Sequence, residues 1–301
     1  MAETRRVGFV GVGLMGHGAA KNIFEKGYPL AILGHRNREP VDDLVRRGAK
    51  EAKDAADLAG MSDVVITCVP SAVEMEAAFH GPRGLIAGAR PGMIFIDATT
   101  NDPVVTRKIG AELAEIGCEL VDGAMGRTPK EAEEGRLATY VGGASETIEK
   151  VRPILETYAD TIVVCGGLGA GTTCKLVNNS ITIGMVAVIS EAFATAAKLD
   201  VDLEALSSVI SAGGANGGMW QMLKPWILEG DDSRLRGPIR IGAKDIRTYG
   251  HMAESAGVAT FIAQAVNQTL RLALNQGHAD RFLPVLPGIL AGLNGAKIRD
   301  I

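Results

Sequence analysis

Apolar residues in the first half of the chain come in short runs separated by amphipathic stretches. Runs at 7–12, 29–33, 64–69 and 93–97 predict strands, the last one following the Pro91-Gly92 turn. The run at 64–69 is rich in β-branched residues and apolar at successive positions, the pattern of a strand buried on both faces of a parallel sheet. Shorter runs predict further strands at 119–122, 139–142 and 161–165. The stretches at 15–26, near 40–47, at 104–117 and at 146–158 have helical periodicity. Strands alternating with helices of this length imply βαβ units and a mainly parallel sheet.

The pattern changes at Gly166-Gly167-Leu168-Gly169-Ala170-Gly171. Beyond it no strand is expected, and Gly184 is the one breaker within a single long helix over 171–199, roughly 40 Å at 1.5 Å per residue. Further helices are expected at 202–212, 217–228, 243–256, 258–276 and 281–293. The chain therefore divides into an α/β domain over 1–165 and an all-α domain over 166–301, joined by the long helix. The glycine-rich boundary itself reads as a flexible bend.

Composition narrows the partners. The chain has 301 residues, 47% hydrophobic and 22% charged, with a net charge of −4. That balance suits a soluble globular protein and disfavours nucleic acid and anionic membranes as partners. The apolar stretch at 181–189 contains Thr182 and Gly184 and is shorter than a bilayer span requires, so a cytoplasmic protein is expected. The four cysteines, Cys68, Cys118, Cys165 and Cys174, form no Cys-x-x-Cys pair and have no clustered histidines near them. Neither a metal site nor a disulfide framework is expected.

Gly11-Val12-Gly13-Leu14-Met15-Gly16 follows the first strand and opens the first helix. In that context the three glycines suit a dinucleotide: a tight turn, a close backbone approach to the pyrophosphate, and close helix–strand packing. The helix N-terminus adds free N–H groups and a favourable dipole for the phosphates. At the end of the second strand, Gly34-His35-Arg36-Asn37-Arg38 carries no acid before Glu39. A carboxylate there would select NAD, whereas Arg36 and Arg38 can pair with a 2′-phosphate. NADP is expected, with NAD possible; the competing reading makes the arginines solvated surface charges. Two further strand ends, Thr67-Cys68-Val69-Pro70 and Asp97-Ala98-Thr99-Thr100-Asn101-Asp102-Pro103, also reach the crest of the sheet. Thr100 is a candidate donor to cofactor or substrate, and helix capping before Pro103 is the alternative for Thr99 and Thr100.

On the long helix, Lys175, Asn178, Asn179 and Thr182 are spaced i, i+3, i+4 and i+7 and share one face. Polar side chains on an otherwise apolar helix need a cavity or fixed partners. A lysine so placed is a candidate proton donor and acceptor, with Asn179 orienting it or the substrate. The competing reading is a structural hydrogen-bond network. Lys244-Asp245 is expected to begin a later helix, with Asp245 a first-turn carboxylate.

These segments together resemble the β-hydroxyacid dehydrogenase family over nearly the whole chain. The resemblance rests on Phe9-Val10-Gly11-Val12-Gly13-Leu14-Met15-Gly16, on Asp97-Ala98-Thr99-Thr100-Asn101-Asp102-Pro103, on Gly169-Ala170-Gly171 followed by Lys175-Leu176-Val177-Asn178-Asn179, and on Lys244-Asp245. It implies a Rossmann-type N-terminal domain and a helical C-terminal domain that mediates assembly into homodimers or homotetramers. It also implies catalysis by Lys175 with Asn179, and cofactor contacts from Leu14, Met15, Val69, Pro70, Thr100 and Lys244. His35, Arg36 and Arg38 would face the adenosine end. The chain departs from the common pattern at Gly126-Arg127-Thr128, where members acting on simple 3-hydroxy carboxylates usually carry Ser-Gly-Gly. The Gly-Arg-Thr version is similar to that of sulfolactaldehyde reductases and implies that Arg127 holds the substrate's anion, with Gly126, Thr128, Asn178 and Thr182 completing the site. The alternative for Arg127 is an ion pair with the acidic segment 131–134. The expected activity is NADP-preferring interconversion of a short anionic aldehyde and its 3-hydroxy acid. A sulfonate reductase, an imine reductase and a non-catalytic NADP-binding module remain as alternatives; a 6-phosphogluconate-type decarboxylase would need a larger helical domain.

Overall fold

A computed structural model describes residues 5–300. It divides into two compact units, the first ending at Lys175 and the second beginning at Leu176. The first is built from β1 (Val7–Val10), α1 (Gly16–Glu25), β2 (Leu30–Leu33), α2 (Glu39–Arg47), β3 (Lys50–Ala52), α3 (Ala55–Gly60), β4 (Val64–Thr67), α4 (Ala72–Phe79), α5 (Leu85–Gly88), β5 (Ile94–Asp97), α6 (Pro103–Glu115), β6 (Glu119–Gly126), α7 (Pro129–Glu133), β7 (Leu137–Gly142), α8 (Ser145–Tyr158) and β8 (Ala159–Gly166).

The eight strands form one sheet in the order β3-β2-β1-β4-β5-β6-β7-β8. Every neighbouring pair is parallel except β6 with β7. Register explains why the strand sequences are apolar throughout. Phe9, Ile66, Ile96 and Val121 stand side by side across β1, β4, β5 and β6 and enter one core with Ala20, Ile23 and Ile154. Their neighbours Val65, Phe95 and Leu120 face the other way and pack with Leu58, Phe79 and Leu113. The side-chain period of two thus feeds two cores, one on each face.

Five short elements, β3, α3, α4, α5 and α7, lie where no element was expected. β3 pairs with β2, and α3 and α4 are capped by Asp54 and Ser71, which accept from Asp57 N–H and Val73 N–H. Ser71-Ala72-Val73-Glu74 carries the Ser-x-x-Glu signature of a helix start, so that signal was present. β6 runs four residues past the expected end, to Gly126, because its backbone finds a second partner in β7.

The second unit contains most of α9 (Ala170–Lys198), then α10 (Leu203–Ala212), α11 (Gly218–Glu229), α12 (Ile239–Ser255), α13 (Phe261–Asn275), a 3-10 turn at Leu283–Val285, and α14 (Leu286–Leu293). Its core gathers Ile183, Val186, Phe193, Trp220, Trp226, Ile246 and Leu270, with Phe193 stacked on Trp220 at 5.2 Å. α9 is long and apolar enough, by length and composition, to cross a bilayer; its Ile183, Val186 and Phe193 are instead part of this core. The turn at Leu283–Val285 replaces the first part of the helix expected over 281–293, where Pro284 lacks a backbone donor. α12 begins at Ile239, earlier than expected, so Lys244 and Asp245 lie beyond its first turn.

The glycine-rich boundary is also not a loose bend. A Cβ on Gly171 would lie 2.1 Å from the Tyr140 carbonyl oxygen, so glycine is there to let the start of α9 pack against β7.

Candidate active site

The turn after β1 has the shape a dinucleotide needs. Gly11 has φ +95°, and a Cβ there would lie 2.1 Å from the Cys68 carbonyl oxygen. A Cβ on Gly16 would lie 2.0 Å from the Gly11 carbonyl oxygen. A Cβ on Gly13 would meet nothing within 4 Å among the described residues. Two glycines are therefore demanded by the protein itself, whereas the space at Gly13 faces open solvent. Met15 places no side-chain cap on α1, leaving first-turn N–H groups available to an anion. Leu14 is 68% exposed beside them, an apolar surface of the kind that covers a cofactor. These features fit a nicotinamide dinucleotide.

At the end of β2, His35 and Arg36 are exposed. Arg38 grips Glu51 with both terminal nitrogens, at 2.6 and 2.9 Å, and reaches Asp42 at 2.9 Å. Glu51 comes from β3, where it pairs in register with Ile32. A Cβ on Gly34 would touch Glu51 Oε1 at 2.1 Å, so the ion pair lies against the tip of β2. The strand lacks an acid of its own, but its neighbour supplies one. Arg38 raises its own proton affinity through this hydrogen bonding and holds the Glu51 carboxyl below the usual range.

The loops after β4 and β5 are stitched together. Thr99 donates to the Thr67 carbonyl oxygen at 3.4 Å and accepts from Val69 N–H at 3.2 Å. Thr99 is therefore no helix cap; Asp102 caps α6, accepting from Val104 N–H. Asp97, fully buried, accepts from Thr99 N–H (3.0 Å), Asn101 Nδ2 (3.2 Å) and Thr106 Oγ1 (2.9 Å). Those bonds organise the loop that carries half-buried Thr100, while Val69 is half-buried and Pro70 exposed on the adjoining loop.

Burial pushes the Asp97 carboxyl up to about 6, against the pull of its hydrogen bonds. Between the usual carboxylate range and pH 6 the folded protein holds this proton more tightly than the unfolded chain does. Folding stability therefore falls as pH rises through that window. Asp97→Asn should remove the pH-dependent loss, on the order of 2–3 kcal/mol for a shift of this size. Melting temperatures of both proteins from pH 4 to pH 7 would test this, and parallel curves would contradict it.

The segment after β6 behaves less simply. A Cβ on Gly126 would lie 2.9 Å from the Tyr140 hydroxyl, so a serine there would have to displace that ring. Arg127 has φ 73°, a left-handed conformation that glycine adopts freely and arginine does not. Its guanidinium bonds the Asp160 carboxylate at 2.8 Å, Thr161 Oγ1 at 3.0 Å and the Arg136 carbonyl oxygen. The acids of segment 131–134 have other partners: Glu131 is bonded to Thr128, Glu133 to His17 and Lys21, and Glu134 to Arg136. The ion pair with segment 131–134 weighed from the sequence is therefore replaced by one with Asp160. Thr128 caps α7 in a capping box with Glu131.

Lys175, half-buried, ends the first unit on α9. Within the second unit Asn179 Nδ2 donates to Asp245 Oδ2 at 2.7 Å, and Lys244 Nζ lies 2.7 Å from Asp245 Oδ1. Asp245 is buried, so these partners offset the cost of its charge. Asp245 joins Asn179 to Lys244, a link that helix position alone did not reveal. Asn178 is exposed and makes a long contact to Asn179 Oδ1 at 3.4 Å, while Thr182 Oγ1 donates to the Asn179 carbonyl oxygen at 3.2 Å.

Comparison with known proteins agrees with this architecture. Residues 6–167 match the family described as the NAD binding domain of 6-phosphogluconate dehydrogenase. Residues 169–282 match the NAD-binding domain of NADP-dependent 3-hydroxyisobutyrate dehydrogenase. The chain is 29% identical to NAD-dependent L-serine dehydrogenase of Pseudomonas aeruginosa, over 94% of this chain and 96% of that one. It is 26% identical to mitochondrial 3-hydroxyisobutyrate dehydrogenase of Bos taurus, over 93% and 85%. The solved structure of Mycobacterium tuberculosis 3-hydroxyisobutyrate dehydrogenase with L-serine has the same fold, with a TM-score of 0.82 at 22% identity over 96% of this chain and 99% of that one. With a dinucleotide turn on the sheet and both domain families matched in order, the chain belongs to the β-hydroxyacid dehydrogenase family and is an NAD(P)-dependent oxidoreductase acting on CH–OH groups.

Proposed function

We propose that the protein interconverts a short anionic semialdehyde and its 3-hydroxy acid, with Lys175 as general acid and base. The observation that carries this is a lysine on the first turns of α9, half-buried, in a chain whose relatives are named for 3-hydroxy carboxylates. A bound nicotinamide supplies or accepts the hydride. In reduction, Lys175 Nζ donates its proton to the carbonyl oxygen; in oxidation it takes the proton back. Asn179, held by Asp245, fixes an amide for orientation. Thr100, Val69, Pro70, Leu14, Met15 and Lys244 contact the cofactor.

Arg127 holds the substrate's anion, with Gly126, Thr128, Asn178 and Thr182 completing that site. Its planar fork of donors suits a carboxylate or a sulfonate. A sulfonate is the second reading, favoured by Gly126 and Arg127 standing where serine and glycine are usual. The test is a panel of carboxylate, sulfonate and phosphate aldehydes, with Arg127→Gly beside wild type. Glycine accepts the backbone conformation at 127, so loss of folding does not confuse the result. KM for the anionic aldehyde should rise roughly tenfold or more, the cost of losing a charge-assisted contact. An unchanged panel would leave Arg127 as a latch to Asp160 alone.

NADP is the proposed preferred cofactor, read by Arg36 and Arg38 beside His35. Glu51 occupies Arg38 and opposes a 2′-phosphate. Glu51→Gln should therefore raise the NADPH-over-NADH ratio of kcat/KM by about threefold, the modest size expected of an exposed ion pair. A ratio that stays or falls would show that Arg38 does not read the cofactor.

Assembly into a homodimer or homotetramer is proposed from Val177, Ile181, Met185 and Val188, which leave an exposed apolar stripe on α9. Sedimentation velocity would settle the order, and a monomer at micromolar concentration would contradict it.

A further inference from the structure

β6 changes partners at one residue. From Glu119 to Asp122 it pairs in parallel with β5, and from Asp122 to Gly126 it pairs antiparallel with β7. Asp122 belongs to both ladders and is fully buried. Its carboxylate does not serve the sheet. Oδ1 accepts from Gly169 N–H and Oδ2 from Thr172 N–H, each at 2.6 Å. These are donors at the start of α9, where intrahelical acceptors do not exist.

The helix cannot cap itself. The residue before Ala170 is Gly169, with φ +89° and no side chain. Gly171 and Thr172 are buried, so water does not replace the missing acceptor. Space for the carboxylate is kept by glycines: a Cβ on Gly142 would lie 2.5 Å from Asp122 Oδ1, and one on Gly171 would lie 2.9 Å from Oδ2. A strand residue 47 positions away from Gly169 therefore does the work of an N-cap. Lys175 follows Thr172 by three residues, about one helical turn. On the other side, Arg127 follows Asp122 by five positions, one past the end of the same strand.

We propose that Asp122 is a positioning residue for catalysis: by clamping the first turn of α9 to β6, it fixes the height and rotation of the helix at Lys175 and ties that lysine to the strand that leads to Arg127. The proposal rests on Lys175 being the proton donor. A carboxylate with two fixed oxygens sets the helix start in two directions at once, which a single capping bond cannot do. Proton transfer is sensitive to placement at the scale of an ångström, where misplacement costs roughly 100-fold.

The test is Asp122→Asn, in which the amide oxygen can keep one bond and the amide nitrogen opposes the other donor. Expected results are a kcat lowered roughly 10- to 100-fold, NADPH affinity within about twofold of wild type, since the Gly11–Gly16 turn does not involve Asp122, and a larger solvent isotope effect on kcat as proton transfer becomes limiting. Loss of stability alone would lower the active fraction without changing the isotope effect. Should Asp122→Asn fail to fold, Thr172→Pro removes one donor and leaves the carboxylate in place; proline is accommodated in a first turn, and the Thr172 hydroxyl has no hydrogen-bond partner to lose among the described residues. It should shift kcat and the isotope effect in the same direction. Lys175→Met is run alongside. An inactive Lys175→Met beside a clamp variant with wild-type kcat and isotope effect would overturn this proposal alone. Normal turnover by Lys175→Met would overturn the acid–base assignment and this proposal with it.

Discussion

Replacing Lys175 with methionine is expected to lower kcat by roughly a thousandfold, within the range for losing a general acid. Methionine approximates the length and apolar stem of lysine and removes only the proton-bearing head, so α9 keeps its packing. NADPH should bind within about twofold of wild type, because the proposed dinucleotide turn is Gly11–Gly16 and its geometry is set by Cys68 and Gly11. Fluorescence titration of NADPH and single-turnover oxidation with enzyme in excess measure the two properties separately. Small primary amines should restore part of the rate, since they can deliver a proton where the ammonium is missing. Turnover near the wild-type rate would remove Lys175 from the chemistry.

The second large effect separates two glycines that look alike in the sequence. Gly13→Ala should leave the melting temperature within a degree or two, as its new methyl meets no protein atom within 4 Å. Affinity for NAD(P)H should nevertheless fall tenfold or more, because the methyl stands where the pyrophosphate approaches the backbone. Gly11→Ala should lower both. It adds a Cβ 2.1 Å from a carbonyl oxygen at a φ of +95°, and the turn must move to accept it. Thermal unfolding with and without cofactor would show the contrast. Equal melting temperatures for the two variants would mean that the turn yields more easily than its contacts imply. Unaltered affinity in Gly13→Ala would place the pyrophosphate elsewhere.

Much of this architecture was legible because local pattern and global structure agree. The runs at β1, β4 and β5 are apolar on both faces, and both faces are buried. The glycine turn could be read because Gly11 and Gly16 answer a local demand of the backbone itself. What escaped were features whose partners lie far along the chain. Glu51 sits beside Gly34 only because β3 pairs with β2, and β3 is three residues long. Arg127 reaches Asp160, 33 residues on, and no spacing rule predicts that. Gly123 and Gly126 read as the end of a strand, yet backbone pairing with β7 carries β6 through both. Asp245 was visible as a carboxylate on a helix, but its bond to Asn179 depends on how α9 and α12 pack within the second unit.

If Arg127 holds the substrate's anion, as proposed, the backbone at position 127 has a consequence for how substrate preference changes over time. Arginine in a left-handed conformation costs roughly 1 kcal/mol that glycine would not, so the strand end is already shaped for the smaller residue. All arginine codons are one nucleotide from a glycine codon. A lineage can therefore exchange the arginine side chain for a bare backbone in one mutational step without rebuilding β6 or its neighbours. With Arg127 in the proposed anion-holding role, position 127 is where substrate choice can drift while the scaffold remains under separate selection.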